Sequence, residues 1–448
     1  MKKKEQVFSK HMTGKKTQEQ LEQFNKLLGE MMGSIGGKKG ALEQIRVLEI
    51  GHANFPGLVC GAMLGEMGAD VIKIEPPQGD AAREATHHGH YIQGVGIPFV
   101  MESRNKLLIT IDFDDEQGIE NIKKLVRKAD ILIDAMKPGY LDELGIGYRQ
   151  ISAVNPGLIY AAVSPYGHYT QKGRDFQNIP DTDLTAQSES GYPALTGDPG
   201  LPEPDNYPVR AGIWAATYMS AAVCVAGIMT ALLHRDRTGE GQMVDMATYD
   251  ALSAWMGFSH VWGFTNEKPR IRVGNYDWCL FPYGYYQAKD GYVTVAAGSD
   301  ADFRGLIKIL GRWDLEDDWR FVFDRIADDP VKLDELEKEM KKEFVKHTRK
   351  VLSEKTLAYG AKAARDKLRS KGFPIVVSTL KPSEVVEEKH WKIRRSFEEF
   401  DIKDHGRITV PSLPPRMSES PSKIEWIKTG IGEDNEEVYK KYKLIMKD

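Results

Sequence analysis

Two carboxylates stand two positions apart at Asp181 and Asp183, just ahead of Gln187-Ser188-Glu189-Ser190-Gly191. Side chains of this type exchange protons with a reacting group held near them; such a pair also serves to cap a helix. Gly51-His52-Ala53-Asn54-Phe55-Pro56-Gly57 falls between a strand and the start of a helix. Free backbone N–H groups at such a point meet an anion. The segment lacks the GxGxxG dinucleotide fingerprint, however, and a plain tight turn has the same composition. Arg104-Asn105-Lys106 precedes a strand and Lys137-Pro138-Gly139 follows one. Both basic groups either face a phosphate-bearing ligand from the sheet edge or are solvated turn charges. His87, His88 and His90 follow Arg83; a metal would need further ligands at fixed geometry, so they read as a polar entrance loop. The chain has no nucleophile elbow and no P-loop.

The elements that must position these residues alternate. Strands are expected at Arg46–Ile50, Val71–Ile74, Ile109–Asp112, Ile131–Ile133 and Leu158–Val163. Helices are expected at Leu58–Met67, ended by Gly68, and at Glu116–Lys128. This order predicts a mostly parallel, doubly wound (Rossmann-like) α/β sheet. Ligands of such sheets sit beyond the carboxyl ends of strands, here Gly51–Phe55, Asp134–Gly139 and Ser164–His168. Residues 1–40 read as an extension: a basic tail, an apolar stripe from Leu21 to Met32 at helical spacing, and a glycine-rich hinge. That stripe packs on its own domain or docks on a partner subunit. Residues 41–248 and 377–448 read as the large domain, and 249–376 as linkers and a smaller α+β domain.

Composition narrows the function classes. The 448 residues exceed one compact core. A formal net charge of −4 does not favour nucleic acid as a partner. The three cysteines, Cys60, Cys224 and Cys279, form no CxxC, which fits a reducing cytoplasm and no metal site. The apolar stretch Ala211–Leu233 is interrupted by Thr217, Tyr218, Ser220 and Thr230 and reads as a buried helix, so no membrane association is expected.

Several segments together resemble the class III CoA-transferases, the family of carnitine and formate CoA-transferases. They are Gly68-Ala69-Asp70-Val71-Ile72-Lys73-Ile74-Glu75-Pro76-Pro77 with Gly79-Asp80 and Arg83, and Ala129-Asp130-Ile131 through Lys137-Pro138-Gly139. Leu144-Gly145-Ile146-Gly147-Tyr148, Asn155-Pro156-Gly157-Leu158, Arg237-Thr238-Gly239-Glu240-Gly241-Gln242 and Pro411-Ser412-Leu413-Pro414-Pro415-Arg416 complete the set. The resemblance spans roughly residues 45–440. It implies coenzyme A and acyl-CoA as substrates and an interlocked dimer. It also implies a CoA pocket drawn from His52, Asn54, Phe55, Arg104, Lys106, Asp112, Met136, Lys137, Tyr166 and Gly167. The chemistry it implies is acyl transfer through an aspartate that becomes acylated.

On this resemblance Thr217 occupies the slot of that aspartate. Glu143 stands where many relatives carry an arginine near the CoA phosphates, and no glycine-rich loop is evident around Arg272–Tyr276. Racemases of the family use a histidine and an aspartate, and Thr182 and Thr217 fill those slots. These departures favour one subunit of a heteromeric CoA-transferase, its aspartate supplied by a paralogous partner, of the kind that passes CoA from succinyl-CoA to an aromatic succinate in anaerobic aromatic degradation. The alternatives are a self-sufficient transferase with a relocated carboxylate, Asp183 or Asp181, and a non-catalytic CoA-ester-binding protein. Trp214, Tyr218, Trp255, Trp262, Tyr276 and Trp278 supply aromatic surface for a bulky acid, or are ordinary core residues.

Overall fold

The computed structural model describes residues 22–23, 26–27, 29–30, 37–86, 88–179, 182–267, 270–275, 277, 282–297, 299–310, 313, 338, 342, 345–346, 348–350, 375–402 and 405–446. Most of the Leu21–Met32 stripe, together with His87, Asp181, Tyr276, Trp278 and Cys279, lies outside the described residues. The chain forms two compact units. The larger comprises Gln23–Pro193, Arg210–Pro269 and Lys389–Asp448; the described part of the smaller is Glu22 together with residues drawn from Ala194–Val209 and Arg270–Glu388.

The large unit is built on six strands. β1 (Arg46–Gly51) leads into helix α1 (Phe55–Glu66) and β2 (Asp70–Glu75). A short hairpin, β3 (Tyr91–Ile92) and β4 (Val95–Gly96), and helix α2 (Ile97–Glu102) precede β5 (Lys106–Thr110). Then follow α3 (Glu116–Val126), β6 (Ile131–Ala135), β7 (Ile159–Ser164), α4 (Asp183–Ser190), α5 (Ala215–Thr238) and β8 (Met243–Ala247). The strand order is β5-β2-β1-β6-β7-β8, and every pairing is parallel. Side chains alternate between the two faces, as a pleated strand requires. Ile159, Ala161 and Val163 pack with Val59, Leu64, Cys224 and Ile228 under α1 and α5. Tyr160 and Ala162 pack with Ile122, Leu125 and Val126 of α3.

The ends of the elements have local causes. α1 starts at Phe55, three residues earlier than its apolar pattern suggests. The Asn54 side chain accepts the Gly57 N–H at 2.9 Å, and Pro56 sits in the first turn. Gly68, at φ +102°, closes the loop after α1 in a conformation that favours glycine. β5 starts at Lys106 rather than Ile109, because the lysine side chain is itself interior. α5 is long and apolar enough to cross a membrane by length and composition, the only such helix among the described residues. Half of its apolar window is buried inside the protein.

β5 is an edge strand, and downstream residues cover it. The Leu108 and Thr110 N–H groups donate to Asp434 Oδ2 at 2.7 Å and Asn435 Oδ1 at 2.9 Å. The Leu108 carbonyl takes the Asp434 N–H at 3.0 Å, and the Lys106 carbonyl takes the Trp426 indole N–H at 3.1 Å. The smaller unit holds an antiparallel sheet in the order β11-β10-β9 (Ile375–Ser378, Gly291–Ala296, Tyr283–Ala288). Its core gathers Tyr286, Val293, Val295, Leu306 and Val376.

Candidate functional site

After β1 the chain moves outward to β2 and β5, then returns to lay β6 on the other side of β1. The strand order therefore reverses between β1 and β6, and the crevice beyond their carboxyl ends is the ligand position of such sheets. Gly51 and Ala135 are register partners at that point, so the His52–Phe55 turn and the Met136–Lys137 segment flank one crevice. His52 and Lys137 are exposed there and Met136 is half-buried.

The turn after β1 is held from beneath. Ala53 adopts φ +54°, and its N–H donates to Asp80 Oδ1 at 2.7 Å. The same oxygen takes the Ala82 N–H at 2.9 Å, and Lys73 Nζ lies 2.8 Å from Asp80 Oδ2. Burial alone would raise the Asp80 carboxyl. Lys73 and the two backbone N–H groups outweigh it and hold the group below its usual range. A depressed carboxyl stabilises the fold above the unfolded pKa of about 3.9 and loses that contribution as pH falls through its folded value. Asp80→Asn is therefore expected to be much less stable than the parent at pH 7. In urea titrations across the acid range the gap starts to narrow below about pH 4 and closes only as pH falls through the depressed folded value, where the parent carboxyl is also neutral.

Asn54 is a structural member of the turn. Besides capping α1 it donates Nδ2–H to the Val163 carbonyl at 2.9 Å. Asn54→Ala removes the cap and strands that buried carbonyl, and is expected to lower unfolding free energy by about 2 kcal/mol in a urea titration.

A further carboxylate, linked to this turn through neighbouring contacts, belongs to Asp183, in the first turn of α4. Thr182 caps α4 through its own hydroxyl, accepting the Thr185 N–H at 3.3 Å, which leaves Asp183 for another helix. Asp183 Oδ1 accepts the Thr217 N–H at 2.9 Å, and Oδ2 accepts from Gln187 Nε2 at 2.5 Å. Thr217 is in the first turn of α5, whose cap residue, Trp214, offers no side-chain acceptor. Asp183 thus supplies the acceptor that α5 lacks. Trp214 in turn packs on Phe55, ring centroids 4.8 Å apart. Asp183, Thr217, Trp214 and Phe55 form one run of contacts from the carboxylate to the switch point. Thr217 itself is buried, 3% exposed.

Arg104 and Lys106 are not ligand-facing charges. Arg104 is enclosed, with Nε 2.5 Å from Glu66 Oε1 and Nη1 2.6 Å from Glu102 Oε2. Tyr218 donates to the other Glu102 oxygen at 3.0 Å. Lys106 is fully buried: its Nζ lies 2.6 Å from Glu49 Oε2 and donates to the Leu58 carbonyl at 2.7 Å. Burial lowers the Lys106 ammonium below its usual range despite Glu49. Burial opposes charge on Lys73 as well, but Asp80, Glu49 and Glu75 together raise it. Room for these charges comes from Gly61, where a Cβ would lie 2.0 Å from Glu49 Oε2. Both cations are consumed by internal carboxylates, so neither reaches a phosphate at the sheet edge.

Of the other expected residues, Asp112 is exposed and accepts the Asp114 N–H. The Tyr166 hydroxyl donates to Glu189 Oε1 at 3.0 Å, and its ring lies beneath Lys172 Nζ. Gly167, at φ +77°, leaves room for Asp245, which takes the His168 N–H at 2.9 and 3.1 Å. Glu143 and His88 are exposed. Trp255 and Trp262 also reach the surface. Among the described residues no three His, Cys, Asp or Glu side chains gather as a metal-binding group. Reading the sequence missed Gln187, which joins Asp183 to the Ala211 backbone, and the Lys73–Asp80 support under the turn. Lys73 and Asp80 both lie in the segment that carries the family resemblance, which was the available signal.

The molecule is thus a doubly wound α/β protein in which contacts join the Asp183 carboxylate to the turn at the switch point of the sheet. The chain matches CoA-transferase family III over residues 42–435, and it belongs to that family. It is 30% identical over 402 residues to succinyl-CoA–D-citramalate CoA-transferase of Chloroflexus aurantiacus, covering 89% of this chain and 93% of that one. It is 28% identical to both subunits of succinyl-CoA–L-malate CoA-transferase of the same organism. The alpha subunit match covers 90% of this chain and 89% of that one, and the beta subunit match 85% and 89%. A solved CaiB/BaiF family protein from Brucella suis superposes with TM-score 0.73 at 26% identity, covering 90% of this chain and all of that one.

Proposed function

We propose that this chain moves CoA between two carboxylic acids, with the Asp183 carboxylate as the group that is acylated. The observation that carries the reading is the Asp183–Thr217 contact at 2.9 Å. The slot in which sequence resemblance finds threonine has a carboxylate beside it in space. Asp183 attacks the donor thioester, giving a mixed anhydride and releasing CoA thiolate. The thiolate attacks the aspartyl carbonyl, giving an aspartyl-CoA thioester and the free donor acid. The acceptor carboxylate then repeats the sequence in reverse and regenerates Asp183. The Thr217 N–H, at the positive end of α5, is placed to hold charge that develops on the Asp183 carbonyl oxygen.

The named relatives handle succinyl, citramalyl or malyl groups, all of which end in a second carboxylate. This supports dicarboxylic acids as donor and acceptor. A heteromeric enzyme is the second reading, favoured by the two relatives that are alpha and beta subunits. Hydroxylamine trapping during incubation with succinyl-CoA separates the two. Mass spectrometry is expected to find the hydroxamate at Asp183 of this chain. A hydroxamate only on an added paralogue would move the chemistry to the partner.

A further inference from the structure

Gln187 ties two things together. Its Nε2 donates to Asp183 Oδ2 at 2.5 Å, and its Oε1 accepts the Ala211 N–H at 2.8 Å. The residue just before Ala211 is Arg210. One carboxamide therefore links the Arg210–Ala211 backbone to the carboxylate assigned to the chemistry. The Arg210 guanidinium is exposed. Among the described residues its one polar contact is a long bond from Nη1 to the Ala211 carbonyl, 3.3 Å. The other arginines near the sheet differ: Arg83 and Arg104 are enclosed by Glu75 and by Glu66 with Glu102, and Arg235 is held by Asp130. The segment tied to Asp183 thus carries a positive charge that no carboxylate of the described residues answers.

We propose that Arg210 receives the second, non-reacting carboxylate of a dicarboxylic substrate while the first meets Asp183. This rests on reading Asp183 as the acylated group and dicarboxylic acids as substrates. A planar guanidinium matches a carboxylate through two parallel hydrogen bonds, which a lysine ammonium does not reproduce. Losing such a contact weakens selection by about ten- to a hundredfold.

The test is steady-state transfer from propionyl-CoA to succinate and to butyrate, with the parent, Arg210→Gln and Arg210→Lys. The two acids share a chain length and differ in one carboxylate. Arg210→Gln is expected to lower the succinate-to-butyrate ratio of kcat/KM by about ten- to a hundredfold, mostly through the succinate KM, with Arg210→Lys in between. If the parent prefers succinate and Arg210→Gln keeps that preference, the role of Arg210 is overturned while the substrate reading stands. If the change falls on the propionyl-CoA KM instead, the guanidinium serves CoA and the proposal is wrong. A parent with no preference for succinate removes the substrate reading and this proposal with it.

Discussion

Asp183→Asn is expected to lower CoA transfer by about 10⁴-fold or more, since an amide cannot replace a carboxylate nucleophile and single losses of this kind reach that scale. The substitution is close to isosteric. The oxygen of the new amide still accepts the Thr217 N–H, so α5 keeps its cap. The Gln187 amide loses its charged acceptor, at a cost of about 1–3 kcal/mol. The variant should therefore fold, and circular dichroism with thermal melting separates a dead enzyme from an unfolded one. Thr217→Asp is the informative companion. It sets a second carboxylate against the first, and two such groups at close range resist ionising together. On the Asp183 reading it loses activity. A gain of activity in Thr217→Asp, with Asp183→Asn unimpaired, would show that position 217 is the catalytic slot and that the native chain depends on a partner's aspartate.

The largest effect on stability is expected from Glu49. Its carboxylate lies 2.6 Å from Lys106 Nζ and 3.4 Å from Lys73 Nζ, with all three side chains at most 1% exposed. Glu49→Leu leaves Lys73 with Asp80 but takes from the buried Lys106 ammonium its ion-pair partner, and breaking such a cluster typically costs about 3–5 kcal/mol. The deficit depends on pH. Burial already holds Lys106 below its usual range, and losing Glu49 lowers it further. An unfolded lysine titrates near about 10.4. Between the folded and unfolded values the unfolded chain binds more protons, so stability rises with pH. Urea titrations should find the variant recovering part of its deficit from pH 7 toward pH 10. Pairing Glu49→Leu with Lys106→Met removes opposite charges together and should restore more stability than either substitution alone. A double variant no better than Glu49→Leu would show that the cluster is not coupled.

The sheet was legible because its strands are short apolar runs with local boundaries, Gly51 and Gly68 among them. What escaped was mainly the contacts whose partners lie far along the chain. Arg104 and Lys106 read as turn charges because Glu66 and Glu49, which with Glu102 enclose them, are 38 and 57 positions upstream. Asp183 was visible as a carboxylate, but its bearing on position 217 was not. That contact joins the starts of two helices 34 residues apart. A motif comparison reads positions one at a time and cannot see an acceptor supplied from another helix.

The cover on β5 has a consequence for biosynthesis. The groups that satisfy its outer edge, Asp434 and Asn435, are made about 325 positions after the strand they protect. Until they emerge from the ribosome, a nascent chain carries an apolar strand with open hydrogen-bonding groups, the usual template for strand-to-strand self-association. Chains halted before residue 426 should therefore pellet on centrifugation, and their yield should depend on holding chaperones more than that of the full chain does.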